Sequence, residues 1–144
     1  MDNGLHQTMG KLHNPVPPKQ TLLLILVPML VTFIGHRLFL HLVRVQHLYP
    51  AGYLVHHLYT GTLILIPAAF ILAFGPGNRI MALGSPVALG IGTAMVLDEV
   101  TYLVATQATD TDYVSPVSLW GAIILVTLAT ILLLVLYQLR REKS

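Results

Sequence analysis

Cysteine is absent from this 144-residue chain, which removes disulfides, thiolate metal ligands and cysteine nucleophiles together. Charge is scarce too: Asp, Glu, Lys and Arg make up 10% of the residues, where a soluble domain carries about a quarter. No polar stretch is long enough to form a soluble domain of its own. Neither an HExxH nor a paired HxxxH occurs, so no known zinc motif is present. Internal repeats and low-complexity tracts are also missing.

What remains is apolar. Hydrophobic residues make up 55% of the chain, and four stretches approach the ~20 residues that cross a bilayer core. They cover residues 22–42, 53–74, 80–106 and 116–139. The expected fold is therefore all-α: a polytopic membrane protein built as one four-transmembrane-helix bundle. A polar tail (1–20) precedes it and a basic end (140–144) follows it. The first span is too long for a signal peptide and lacks a small-x-small cleavage site, so it reads as a retained helix.

The net charge of +2 does not indicate nucleic-acid binding, because basic residues flanking membrane spans report orientation. Lys11, Lys19, Arg79, Arg140, Arg141 and Lys143 fall on one side of the membrane. Arg44 falls on the other, joined by Arg37 if that side chain snorkels. Both termini are thus expected in the cytoplasm of a cell or inner membrane. The lipid bilayer is the expected partner, and the small size of the bundle adds a homo-oligomer or a membrane partner to the expectation.

Pro28 and Pro67 predict kinks in the first two spans. The turn signal Tyr49-Pro50-Ala51-Gly52 makes those spans antiparallel neighbours. Phe74-Gly75-Pro76-Gly77-Asn78-Arg79 predicts a tight turn into the third span. Within that span Ala88 with Gly92 and Gly90 with Ala94 form small-xxx-small pairs, the mark of close helix packing. Residues 107–115 read as a polar outer loop. The fourth span holds no ionisable residue and reads as the structural, most lipid-exposed helix. Trp120 and Tyr137 sit near its ends, as an aromatic belt requires.

Against this background the ionisable residues inside the spans stand out. Asp98 and Glu99 lie in the third span, His36, Arg37 and His41 in the first, and His56 and His57 in the second. Ionisable groups in a lipid-embedded helix are costly and by default functional. At a rise of 1.5 Å per residue, His36 lies roughly 22 Å and Asp98 and Glu99 roughly 27 Å above the cytoplasmic starts of their spans. His56 and His57 sit about one turn below the outer end of theirs. The groups therefore share one level in the outer half of the bilayer.

Three assemblies fit those residue types. Imidazole and carboxylate are ligands of zinc and non-haem iron, so His36, His41, His56, His57, Asp98 and Glu99 are candidate ligands of a divalent metal. The spare carboxylate, Glu99, is the candidate general base for hydrolysis of a lipid or small substrate by metal-bound water. Arg37, Tyr53, Tyr59 and Tyr102 are candidates to orient the ligands. Alternatively Arg37, protonated histidines and the carboxylates form a metal-free network for proton-linked transport, sensing or scaffolding. The third assembly is haem, clamped between His36 or His41 and His56 or His57. Adjacent residues diverge by about 100° on a helix, so one histidine of the 56/57 pair, and one of the two carboxylates, is expected to face away.

Overall fold

The computed structural model describes residues 16–43, 56–75 and 78–142. Expectations for the tail at 1–15, the turn at 49–52, Arg44, Tyr53 and Lys143 lie outside the described residues.

The chain is helical: α1 (Pro18–Leu42), α2 (His57–Phe74), α3 (Arg79–Ala105), the single turn α4 (Asp110–Tyr113) and α5 (Pro116–Arg141). Among the described residues there is no strand. All helices except α4 are long and apolar enough to cross a membrane. Their outer faces carry large apolar side chains such as Leu63, Phe70, Phe74 and Trp120, a surface suited to lipid and ill suited to water.

Sequence signals set the helix ends. Pro18 and Pro116 open α1 and α5 in the first turn, where a missing N–H costs nothing. Asn78 caps α3 by accepting from the Met81 amide at 2.8 Å, and Ser115 caps α5 by accepting from Ser118, supplying acceptors for first-turn donors. Pro28, Pro67 and Pro86 all lie inside helices that continue through them.

The helix α3 is the hub. It packs against α1, α2 and α5, and α1 also meets α5. This corrects the expectation that the first two spans are neighbours: among the described residues α1 and α2 do not pack helix against helix. The small residues of α3 explain it. A Cβ on Gly92 would lie 2.7 Å from the Gly61 carbonyl and 2.9 Å from Leu65 Cβ, both on α2. One on Gly90 would lie 3.2 Å from the Met29 amide of α1. Glycines on two faces let α3 approach both helices closely. Met29, Ala94 and Val126, from α1, α3 and α5, form the apolar core beneath. The fourth span does not stand out as the most exposed: its apolar stretch is 11% buried, the same as α1 and α2, against 28% for α3.

Candidate functional site

The ionisable groups meet at the end of the bundle where α1 finishes and α2 begins. His36 is 18 residues into α1 and Asp98 is 19 into α3, so a common rise of 1.5 Å per residue puts both about 27–29 Å along parallel neighbours. Both carboxylates are buried, Asp98 at 0% and Glu99 at 1% exposure. This overturns the expectation that one of them faces away.

They divide the surrounding groups between them. Asp98 Oδ1 accepts from Arg37 Nε. Asp98 Oδ2 faces His36 Nδ1 at 3.2 Å, His57 Nε2 at 3.4 Å and the Tyr113 hydroxyl, which donates to it. Glu99 Oε1 accepts from His56 Nδ1 at 2.5 Å. Glu99 Oε2 accepts from the Leu58 amide in the first turn of α2 and lies 3.3 Å from His57 Nδ1. An acid on α3 thus caps α2, where the helix dipole favours negative charge.

Both histidines of the pair reach a carboxylate, contrary to the helical-wheel expectation. The reason is local: His56 is the N-cap of α2, with extended backbone (φ −74°, ψ 145°), so the 100° rule does not govern its direction. His57 bridges the two acids, one through each ring nitrogen.

Arg37 is buried at 6% exposure and does not snorkel. Its Nη1 donates to the Tyr113 carbonyl (2.8 Å). Its Nη2 donates to the Asp98 carbonyl (3.1 Å), the Ser118 carbonyl (3.3 Å) and Ser118 Oγ (3.1 Å). One rigid guanidinium therefore ties α1 to α3, α4 and α5, using the fixed fork of donors that lysine lacks.

Three of the candidate residues lie elsewhere or play other parts. His41 turns back along its own helix, donating to the Arg37 carbonyl at 2.8 Å, and is not among the converging ligand atoms. Tyr59 is 62% exposed. Tyr102 donates to the Ala108 carbonyl at 2.6 Å, which anchors the strap after α3. As for haem, the His36 and His57 rings are in edge contact at 4.2 Å, with no gap for a macrocycle between them.

Tyr113 and Ser118 are the residues that sequence reasoning missed. Tyr113 belongs to a segment read as a plain polar loop. Instead Thr109 and Asp112 form a capping box that starts α4, and the turn directs Tyr113 inward to 6% exposure. Its ring lies under Arg37, 4.6 Å from the guanidinium carbon, and edge-on to His57 at 5.5 Å. Burial and the charge of Asp98 push its hydroxyl above the usual phenol range, so without a metal it is a donor. The Thr109-x-x-Asp112 spacing and the Ser115-Pro116 pair were the available signals.

Two features of this geometry are chemically decisive. Three groups compete for Asp98 Oδ2, which offers two lone pairs. Asp98, Glu99 and Arg37 leave one negative charge uncompensated in a buried site, and such a charge requires a partner. Either a proton on an imidazole or a metal ion meets that requirement. Nδ1 of His36, Nε2 of His57 and a carboxylate oxygen of Asp98 lie within 4.8 Å of one another. Compared with protein-family models, with characterised proteins and with solved structures, the chain matches none.

Proposed function

We propose that this chain is a multi-pass membrane protein that binds a divalent metal, zinc or iron, through His36, His57 and Asp98. Both termini lie in the cytoplasm and the site opens towards the outer face, on the strength of the basic residues at the opposite end. Imidazoles of His36, His56 and His57, each 20–25% exposed at the side chain, provide the way in for an ion from that side.

The observation that carries the reading is the spacing about Asp98 Oδ2. Bonds of about 2.0–2.2 Å in a tetrahedral shell set ligand atoms about 3.3 Å apart. The two imidazole nitrogens stand 3.2 and 3.4 Å from that oxygen. His57 adds a second support. With its Nδ1–H given to Glu99, its Nε2 lone pair faces the site, the carboxylate–histidine–metal arrangement in which the outer acid fixes the tautomer. Glu99 then acts as the partner that holds His57 and His56. The ligand and general-base roles expected of it find no support in this position.

A second reading has its own observation. Arg37 pairs directly with Asp98, and among the described residues no buried side-chain nitrogen or oxygen lacks a partner. With His57 as imidazolium, donating to both acids, the network closes without an ion and serves proton-linked sensing or transport.

Metal analysis of the detergent-purified chain separates them. The metal reading expects stoichiometric zinc or iron in the wild type, lost in His36→Ala and His57→Ala. Glu99→Gln should keep the stoichiometry with affinity down about 10–100-fold, the cost of losing an outer partner. A wild-type protein without stoichiometric metal, even after loading, sinks this reading and leaves the ionic network.

A further inference from the structure

The metal reading names three ligands, yet the geometry around them includes a fourth oxygen. We propose that Tyr113 is the fourth ligand of that ion, so that the strap between α3 and α5 closes the metal into a shell of two histidines, an aspartate and a tyrosine. The inference rests on the metal reading and deepens it.

The Tyr113 hydroxyl contacts Asp98 Oδ2 and lies 3.3 Å from His57 Nε2. With the 3.2 and 3.4 Å separations already given, three of the six edges of a four-ligand shell have the ~3.3 Å tetrahedral length, and the Tyr113–Asp98 edge is a direct hydrogen bond that the ion would open. The hydroxyl is thus within reach of a ligand oxygen and a ligand nitrogen together, as a fourth ligand must be.

The phenol is also held in place. Its ring packs edge-on against His57 and, at 5.2 Å, against Tyr102. Its own carbonyl accepts from Arg37, the side chain that also binds Asp98. One guanidinium thus positions two of the four ligands. Tyr102, by bonding the Ala108 carbonyl, and the Thr109–Asp112 box fix the strap on the side of α3. In the closed shell the oxygen binds as phenolate and its proton leaves to solvent.

The consequence is functional. Catalytic zinc sites keep one position open for water, whereas four protein ligands close the shell. A site closed by Tyr113 holds an ion and has no place for a hydrolytic water, which turns the function from hydrolysis towards metal retention or sensing.

The test loads the full chain, purified in detergent, with zinc and separately with ferric iron. Tyr113→Phe keeps the ring and its packing. It should weaken zinc binding by more than about 100-fold, beyond the 10–100-fold lost with an outer partner. Ferric wild type should show a visible phenolate-to-iron charge-transfer band with resonance-enhanced tyrosinate Raman modes, both absent from Tyr113→Phe. A ferric wild type without the band overturns the proposal, and a zinc loss of 100-fold or less counts against it. The band decides where the two disagree, and needs no variant that could fail to fold. If ferric iron does not bind, the zinc ratio decides alone. If wild type binds neither ion, the metal reading falls and this one with it. If it binds and Tyr113 proves indifferent, this one alone falls.

Discussion

Two adjoining layers of the bundle are held together by opposite means. In the middle, Gly61, Gly90 and Gly92 bring α2 and α1 against α3 until backbone meets backbone. About 9 Å further along α3, six residues at 1.5 Å each, the contacts are ionic and run through Arg37, Asp98 and Glu99. Lipid supplies no hydrophobic drive between helices, so a membrane bundle relies on close packing or on polar bonds. The glycine layer needs only shape. In the ionic layer Asp98, Glu99 and Arg37 leave one negative charge over, so its balance depends on a proton or an ion in a way that the glycine layer's does not.

The harshest way to break the comparison is Asp98→Ala. It removes the acceptor of Arg37 and the centre of the cluster, leaving a guanidinium buried without its counter-ion. Losing one partner of a buried pair costs about 3–5 kcal/mol. Unfolding in detergent should show that loss, with metal binding abolished. A variant within about 1 kcal/mol of the wild type, well under that cost, would mean that the ionic layer does not hold the helices.

The converse substitution is Gly92→Val. Its branched side chain must displace the Gly61 carbonyl and Leu65, which a bare Cβ already meets at 2.7 and 2.9 Å. Overpacking of this kind costs about 1–3 kcal/mol. Metal stoichiometry should survive, because none of the ligand atoms belongs to that layer. Loss of the metal together with stability would show the two layers to be one mechanical unit, and the contrast drawn between them would fail.

The same division explains what could be read from the sequence. Long apolar runs made the four helices plain, and counting residues along them brought His36, His57 and Asp98 to one level. Regular geometry sufficed for both. Residues at irregular backbone were illegible by the same counting. His56 points at Glu99 because it is an extended N-cap, Tyr113 turns inward because a capping box precedes it, and Ser118 meets Arg37 from the first turn of α5. Arg37 was misjudged for another reason. Its carbonyl partners come from three different elements, and only their assembly makes burial cheaper than reaching for the headgroups.

The smallest effect is expected at His41, and it bears on the boundary of the ionic layer. Spacing along α1 puts residues 37, 41 and 44 on one face, which is why His41 belongs among the candidate ligands. Its Nδ1 instead donates to the Arg37 carbonyl one turn back, a bond within one helix that no other element shares. His41→Ala should therefore leave stability within about 0.5 kcal/mol, as for a surface change away from special features. Metal content should be unchanged, while His36→Ala, five residues earlier on the same helix, loses the ion. Equal loss from both variants would move the edge of the site a full turn outward. Arg37 would then be a wall of a larger cluster, and the three-residue ligand set would have to be redrawn.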